Sequence, residues 1–463
     1  MQIKSLFGTK SFYKKLLAIM VPILIQNAIT TFISLLDNVM VGQVGTEQMS
    51  GVSIVNQLIF VFNLCIFGTI SGAGLFGAQF FGKGDHEGVR HTFRFKFYIA
   101  LVILALSETL FLTCGDGLIS LYLHEGSDTG DLALTLYYAK QYLAIMLIGL
   151  VPFTVSQVYS STLREAGHNI PPMVAGIVGV VANLSLNYVL IFGKLGMPAL
   201  GVQGAAIATV VSRFVECGFI IIWAHTHKAE CEFIRGAYRS FYVPAVLMKQ
   251  IAKKGFPLLL NEGLWAAAQA TLLQCYSVRG IAVVSAMNIS NVVFNTFSIL
   301  FLSVGVSISL MLGHILGTGD TEGAKDAAKK MITFSVGMGL ICMVLVSLCA
   351  PFFPLLYNTS DEVRTLATNF TFVIAFASPI HAYLNSAYFT IRSGGKTGTV
   401  FLFDSAYAWG VNVVLAFVLA NFTTLPIVAV YACCQGVDIL KCTIGTILVA
   451  RGKWAVDLTQ KVE

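Results

Sequence analysis

The two halves of this chain repeat each other. With a shift of 235 residues, Pro22 falls on Pro257, and the run Gly-Lys-Gly-Asp-His-Glu-Gly at 82–88 falls on Gly-Thr-Gly-Asp-Thr-Glu-Gly at 317–323. Both copies consist mainly of long apolar stretches. This duplication constrains the fold strongly, because repeated sets of apolar segments are typical of membrane transporters built from two similar halves.

The composition indicates a membrane protein. Of the 463 residues, 56% are hydrophobic and 11% are charged, whereas soluble domains carry about 25% charged residues. The net charge of +6 is not concentrated in one segment, so we expect no nucleic-acid partner. No Ser-His-Asp set, His-Glu-x-x-His motif or metal-ligand cluster occurs in the sequence. We therefore expect a multi-pass protein of the cell membrane that is not an enzyme and needs no cofactor.

Twelve apolar windows are long enough to cross a bilayer, which takes about 20 residues. The predicted fold class is an all-α membrane protein with twelve transmembrane helices, six in each of two pseudo-symmetric halves. We expect the helices near residues 16–41, 52–80, 93–114, 136–160, 172–193, 200–224, 250–276, 283–313, 331–351, 364–388, 400–421 and 425–450.

The basic residues predict the orientation. Of the 29 Lys and Arg residues, 23 fall in loops on the side of the N-terminus, 4 on the opposite side and 2 inside helices. Cytoplasmic loops are enriched in Lys and Arg, so both termini are predicted to be cytoplasmic. Because six is even, the halves are parallel repeats with a cleft between them. The predicted divisions are an N-terminal half at 1–224, a basic linker near anionic headgroups at 225–249 and a C-terminal half at 250–463.

Ionisable residues inside apolar helices are candidates for function, because each costs about 2.5–3.5 kcal/mol on insertion scales. They are Asp37, Glu108, Arg213, Glu216, Glu262, Asp404, Asp438 and Lys441. Arg213 and Glu216 are three residues apart and share one helix face, where we expect them to pair. The same spacing predicts a pair between Asp438 and Lys441.

Asp37 and Glu262 differ from the other candidates, because neither has a basic residue within one helical turn. The first helix of each repeat also carries a proline, followed four and five residues later by an amide or an acid. These residues are Pro22, Gln26, Asn27, Pro257, Asn261 and Glu262. A proline frees a backbone carbonyl and can kink a helix, so the two prolines are candidate hinges. Alternatively, they only bend the helices around the bundle.

Polar and aromatic side chains elsewhere suggest a pocket for cations. Asn183 and Asn187 lie on one face of the fifth helix, where they either bond neighbouring helices or bind a ligand. Asn187 with Asp37 would form an oxygen-lined pocket. Aromatic rings hold flat cations by cation–π contact, although packing is the alternative for each ring. The substrate-cleft candidates are Gln26, Asn27, Asn261, Asp404, Tyr142, Phe294 and Tyr388.

Five short motifs resemble those of the multidrug and toxic compound extrusion (MATE) family, and the resemblance runs from about residue 12 to residue 450. They are Leu-Asp-Asn-Val-Met-Val-Gly at 36–42, Gly-Ala-Gln-Phe-Phe-Gly-Lys-Gly-Asp at 77–85, Leu-Arg-Glu-Ala-Gly at 163–167, Asn-Glu-Gly-Leu-Trp at 261–265 and Ile-Arg-Ser-Gly-Gly at 391–395. Members of that family export organic cations, often drugs, in exchange for sodium ions or protons.

The resemblance implies roles for particular residues. Asp37 would be the coupling carboxylate of the N-terminal half, with Asn183, Asn187 and Thr209 beside it, and Glu262 would be the acid of the C-terminal half. If the ion is sodium, Asp37, Asn183 and Asn187 are its expected ligands. Relatives with a sodium site usually carry an aspartate at the position of Asn187, so coupling to protons through Asp37 stays open.

The expected function is therefore a secondary antiporter that exports small cationic molecules or drugs by alternating access, with a proton or sodium ion as the coupling ion. We expect it to act as a monomer in contact with membrane lipid. The alternative is a flippase for lipid-linked oligosaccharide on the same architecture. That substrate is large and anionic and would need a basic cleft, whereas the isolated intramembrane charges here are acids.

Overall fold

A computed structural model describes residues 6–122, 131–357 and 359–461, except for the side chains of 33–35, 38, 39 and 46. These residues form twelve long helices and no β-strand. The helices of the first half are α1 (Lys10–Gly42), α2 (Thr46–Lys83), α3 (His86–Ser120), α4 (Leu132–Glu165), α5 (Ile170–Phe192) and α6 (Val202–Thr226). Those of the second half are α7 (Ala245–Ser277), α8 (Ile281–Gly317), α9 (Thr321–Cys349), α10 (Asp361–Ser393), α11 (Thr397–Phe422) and α12 (Ile427–Ala450).

Each predicted helix is present, and several extend beyond the predicted bounds. Apolar windows mark only the part of a helix that suits lipid, whereas backbone hydrogen bonding continues into the polar flanks. Lys96, one of the 23 basic residues assigned to the side of the N-terminus, lies in the first turns of α3, which begins at His86. By length and composition, eleven of the described helices can cross a membrane. The exception is α7, whose apolar stretch is interrupted by Asn261, Glu262 and Gln269.

Most helices are regular, but α11 is not. It contains two π-helical turns, Leu402–Ala406 and Ala408–Val413, and Asp404 lies in the first of them. Such turns insert an extra residue into the helix and are frequent at functional sites. A prolyl residue lies inside four other helices: Pro22 in α1, Pro152 in α4, Pro257 in α7 and Pro379 in α10.

The repeated glycine-rich runs form equivalent capped turns. The Asp85 carboxylate accepts a hydrogen bond from the Gly88 N–H at 2.8 Å, and the Asp320 carboxylate accepts one from the Gly323 N–H at 2.7 Å. Both aspartates thus satisfy a free amide at the start of a helix and complement its positive end. The two runs are therefore helix caps.

The described residues divide into two compact units. One takes in Ile25–Gly77 and Asp85–Ile251, and the other takes in the residues up to Leu24, Ala78–Gly84 and the residues from Ala252 onward. In the second unit, Tyr431 packs edge-on against Tyr276 and Phe370, with ring centroids 5.7 and 5.1 Å apart. These rings join α7, α10 and α12 in a buried core.

The linker between α6 and α7 is a folded segment of the first unit. It is shorter than the predicted linker at 225–249, because α6 ends at Thr226 and α7 begins at Ala245. The guanidinium of Arg94 in α3 donates to the carbonyls of Gly236 and Ala237 at 2.8 Å and of Tyr242 at 3.0 Å. The Phe233 side chain is buried. A single buried arginine thus fixes the path of the linker by satisfying three of its backbone carbonyls.

Candidate functional site

The carboxylate of Asp37 in α1 contacts two amides of α5. The Asn187 side-chain nitrogen donates to Asp37 Oδ1 at 2.6 Å. The Asn183 amide is best oriented with its nitrogen toward Asp37, because it then donates to both carboxylate oxygens at 2.9 and 3.2 Å and accepts from the Thr209 hydroxyl at 3.3 Å. The structure therefore brings together four residues that the sequence predicts for cation coupling: Asp37, Asn183, Asn187 and Thr209.

This cluster contains an unsatisfied oxygen. Asn187 is buried, and its Oδ1 has no hydrogen-bond partner among the described residues. A buried polar atom without a partner carries a desolvation cost, which a bound cation can offset. Together with an Asp37 oxygen and the Thr209 hydroxyl, Asn187 Oδ1 supplies the type of ligand that a hard cation such as sodium prefers. The residues present thus fit a small cation, although they offer only one full negative charge.

Asp37 makes no ion pair with another described residue. Arg213 acts on it electrostatically. The Arg213 guanidinium lies 3.3 Å from Glu216 Oε2 and 4.9 Å from the centroid of the Phe153 ring. The predicted pair between Arg213 and Glu216 is confirmed. Arg213 is therefore paired with Glu216, and the Asp37 carboxylate is bound by the amides of Asn183 and Asn187.

Glu262 has a different environment from the isolated one that the sequence suggests. Its Oε1 lies 3.8 Å from Arg392 Nη1 and accepts a hydrogen bond from the Tyr388 hydroxyl at 3.3 Å. Arg392 also donates to the Tyr388 hydroxyl at 3.2 Å. The expectation that Glu262 lacks a basic partner is wrong, because Arg392 comes from α10, 130 positions further along the chain, and helical spacing within α7 cannot reveal it.

Asp404 belongs to the same polar cluster, and its partners also differ from the prediction. Lys441 Nζ lies 2.9 Å from Asp404 Oδ1, and the Asn261 amide donates to Asp404 Oδ2 at 3.1 Å. Asp438 instead accepts from the Asn412 amide at 3.1 Å. The predicted pair between Asp438 and Lys441 is therefore wrong: the flexible lysine reaches a carboxylate on α11 in preference to its neighbour on α12.

The other predicted cleft residues are placed as follows. The Gln26 side-chain oxygen accepts a hydrogen bond from Arg164 at 2.5 Å, and Asn27 is half-buried. The Tyr142 hydroxyl donates to the Asn56 side-chain oxygen at 3.4 Å. The Phe294 ring packs edge-on against His381, with ring centroids 5.3 Å apart. The candidate hinges differ in exposure, since Pro22 is buried and Pro257 is half-buried.

One buried charge pair was not anticipated. Lys96 in α3 is fully buried, and its Nζ lies 2.6 Å from both carboxylate oxygens of Glu165 in α4. Gly74 and Gly77 of α2 leave space for this carboxylate, since a Cβ on either glycine would stand within 2.6 Å of its oxygens. The only sequence signal was an acid beside Arg164 in the Leu-Arg-Glu-Ala-Gly motif.

The sequence matches the family model MatE over residues 22–189 and 264–418, which together cover most of the chain. The chain belongs to the MATE family. Members of this family are membrane transporters and not enzymes, so the chain is a multi-pass transport protein.

Curated relatives and solved structures agree with this assignment. The chain is 24% identical to a probable multidrug resistance protein NorM from Thermotoga maritima, and the alignment covers 95% of this chain and 93% of that protein. It is 26% identical to the multidrug resistance protein MdtK from Pectobacterium atrosepticum, and that alignment covers 88% of this chain and 87% of the relative.

Similar folds occur among solved structures. A MOP superfamily transporter from Pyrococcus furiosus superposes with a TM-score of 0.84 at 18% identity, covering 97% of each chain. The outward-facing conformation of a multidrug resistance MATE family transporter superposes with a TM-score of 0.85 at 18% identity, covering 97% of this chain and 98% of that one. The chain therefore has the twelve-helix, two-lobe MATE fold.

Proposed function

We propose that this MATE protein exports organic cations, including drugs, in exchange for protons or sodium ions by alternating access. The observation that carries the proposal is the Asp37 carboxylate, which two amides hold by hydrogen bonds and which forms no ion pair with another described residue. The multidrug resistance names of the NorM and MdtK relatives support the choice of drugs as cargo.

Competition at Asp37 provides the coupling. The carboxylate carries one negative charge in a cluster that otherwise consists of neutral amides and a hydroxyl. In such a low-dielectric environment a single negative charge stabilises one positive charge strongly and cannot compensate two. When an ion from outside binds or protonates Asp37, the cationic cargo loses its counter-charge and is released.

The amide at position 187 bears on the identity of the ion. Asn187 offers a free oxygen to a metal cation but adds no second charge, so the cluster suits either sodium or a proton. Asn187→Asp adds the missing charge. We expect this variant to bind sodium about tenfold more tightly, a gain of about 1.4 kcal/mol, and to make export dependent on sodium. Asn187→Leu is the matched control without an oxygen ligand.

The central test is transport of ethidium by the purified protein in proteoliposomes under an imposed proton or sodium gradient. We expect Asp37→Asn to lower the initial transport rate at least about tenfold, equivalent to about 1.4 kcal/mol of lost stabilisation. Asp361→Asn, at an exposed carboxylate that pairs with Arg364, is the control and should retain the parent rate. If Asp37→Asn transports ethidium as fast as the parent under both gradients, the assignment of Asp37 is wrong.

Glu262 receives a secondary role in this proposal. Because Arg392 and Tyr388 already contact its carboxylate, we expect Glu262→Gln to reduce transport less than Asp37→Asn. A larger loss in Glu262→Gln would move the coupling site to the C-terminal half.

A flippase for lipid-linked oligosaccharide is less well supported. A phosphorylated lipid carrier needs uncompensated positive charge. The intramembrane bases Arg213 and Lys441 are instead paired with Glu216 and Asp404. Failure of a polyprenyl-phosphate lipid to compete with ethidium would agree with export of cations.

We also propose that both termini are cytoplasmic, on the basis of the 23 Lys and Arg residues assigned to one side. A reporter enzyme that is active only in the periplasm, fused after residue 463, should stay inactive. Activity of that fusion would reverse the orientation.

A further inference from the structure

The ammonium group of Lys441 lies in a small cage of complementary groups. Its Nζ is 2.9 Å from Asp404 Oδ1, 5.3 Å from the centroid of the Phe403 ring and 5.6 Å from that of the Tyr407 ring. All three partners belong to α11, whereas Lys441 belongs to α12. Phe403, Tyr407 and Lys441 are each less than 10% exposed. The lysine head thus has one carboxylate and two aromatic rings as its closest counterparts.

This set of groups is the one by which proteins recognise organic ammonium ions. A carboxylate supplies the counter-charge, and aromatic faces attract the cation through their quadrupoles, more strongly when water is excluded. Lys441 is itself a primary alkylammonium on a four-carbon chain. It therefore occupies the cage in the way that an alkylammonium ligand would.

We propose that Asp404, Phe403 and Tyr407 form an alkylammonium-binding site, and that Lys441 is its tethered internal occupant, which competes with cationic cargo. The inference rests on the proposed function only for the cationic class of the cargo. It assigns Lys441 a specificity-determining role that is separate from the coupling cluster at Asp37.

The walls of the cage are anchored independently of the lysine. Asp404 Oδ2 accepts from the Asn261 amide at 3.1 Å, and the Tyr407 hydroxyl donates to the Val437 carbonyl at 2.8 Å. The Asn261 amide is in turn fixed by Ser405, whose hydroxyl donates to Asn261 Oδ1 at 2.7 Å. Lys441 takes part in none of these bonds. The part of the site with the most conformational freedom is the four-carbon stem of Lys441, so displacement of its ammonium group leaves a preformed site.

The π-helical turn of α11 contributes to this arrangement. Residues 402–406 form one π turn, and the next begins at Ala408. The extra residue in each turn changes the angular offset between Phe403, Asp404 and Tyr407 from that of a regular α-helix. A carboxylate and two rings of one helix thereby meet the same ammonium group.

Competition from a tethered lysine has a measurable consequence. If Lys441 fills the cage about nine-tenths of the time, the apparent affinity for an external ammonium ion falls about tenfold, because only the unoccupied fraction can bind it. Removal of the lysine should restore that affinity, and removal of the carboxylate should abolish it.

The test uses the purified full-length protein in detergent, with n-butylammonium chloride as the probe and isothermal titration calorimetry as the readout. Lys441→Ala removes the stem and ammonium, and n-butylammonium has the same four carbons and charge. We expect Lys441→Ala to bind n-butylammonium and the parent to bind it at least about tenfold more weakly. The double variant Lys441→Ala/Asp404→Asn should not bind it. n-Butanol, which has the same length without the charge, is the matched ligand control.

A second variant keeps the test valid if Lys441→Ala fails to fold. Lys441→Met keeps the volume of the stem and vacates only the position of the ammonium head, so it should bind methylammonium about tenfold more tightly than the parent, while Lys441→Arg should bind it as the parent does. The proposal is overturned if n-butanol binds Lys441→Ala as well as n-butylammonium, if the double variant still binds the amine, or if Lys441→Met and the parent bind methylammonium equally. These binding measurements need no ion gradient, so their failure leaves the Asp37 transport test unaffected.

Discussion

The buried pair of Lys96 and Glu165 allows a quantitative test of the packing of α3 against α4. Lys96 is 0% exposed, and its ammonium contacts both oxygens of the Glu165 carboxylate at 2.6 Å. It also donates to the hydroxyls of Ser161 at 3.0 Å and Thr162 at 3.1 Å. Substitution Lys96→Met keeps the length of the side chain but removes the charge. The carboxylate is then left buried without its ammonium partner.

Removing one member of a buried pair is expected to cost up to about 3–5 kcal/mol, because the remaining charge loses its pair partner in a low-dielectric environment. When both members are neutral, no charge of the pair remains buried. The double variant Lys96→Met/Glu165→Gln should therefore lose far less than the single variant, since replacement of a whole buried pair by neutral groups is often close to neutral. The two single substitutions should thus couple by at least about 1 kcal/mol, and the coupling should be favourable.

The assay is thermal unfolding of the purified protein in detergent, followed by intrinsic fluorescence, for the parent, both single variants and the double variant. We expect Lys96→Met to show the largest fall in the midpoint and the double variant to recover most of it. Arg364→Met, which breaks the pair with the exposed carboxylate of Asp361, is the control and should change stability by no more than about 1 kcal/mol. If the effects of Lys96→Met and Glu165→Gln simply add, the carboxylate does not depend on Lys96 and the argument fails.

Two further predictions concern other parts of the chain. Gln79 is buried and bonds the C-terminal segment through the Val456 carbonyl at 3.1 Å and the Leu458 N–H at 2.6 Å. Gln79→Ala leaves these groups unsatisfied, at a cost of about 1–3 kcal/mol each. The C-terminal segment should therefore detach more often, and proteolysis after Arg451 should be faster. An unchanged digestion rate would contradict the role of Gln79 in holding this segment. Burial raises the pKa of the Cys231 thiol to about 11, so the unreactive neutral thiol persists below that pH and the reactive thiolate forms as the pH rises through it. Mass spectrometry should find Cys231 unlabelled by a maleimide at pH 8 in the folded protein and labelled after unfolding, and rapid labelling of the folded protein would refute the prediction.

Interactions that are close in sequence could be predicted from the sequence. The caps at Asp85 and Asp320 follow from an aspartate three residues before a free helical N–H. The pair of Arg213 and Glu216 follows from a spacing of three residues on one helix. In both cases the geometry is fixed by the helix itself, so no knowledge of neighbouring helices is needed.

The same local rule failed for Asp438 and Lys441, and the reason is the packing of α11 on α12. Lys441 reaches Asp404, 37 residues away, because that carboxylate is within the range of its flexible stem. Asp438 meets the Asn412 amide instead. A spacing rule counts partners on one helix only, and it cannot weigh them against partners that a second helix supplies.

The candidate coupling cluster at Asp37 was predictable only in part. Asp37, Asn183, Asn187 and Thr209 were grouped by resemblance to the MATE family, and the contacts between α1, α5 and α6 bring them within hydrogen-bond distance. The free Oδ1 of Asn187 could not be predicted. Whether a side-chain oxygen is satisfied depends on the rotation of its helix and on every neighbour within about 3 Å.

The sequence by itself determined the number of helices, their duplication and their membrane environment. Apolar runs of sufficient length must be helical in lipid, because only a helix satisfies their backbone hydrogen bonds internally. Tertiary structure alone decided which charges pair between different helices. The partners of Glu262, Asp404 and Lys96 all come from other helices, and the distance between charges on two helices is set by side-chain packing, which no single stretch of sequence encodes.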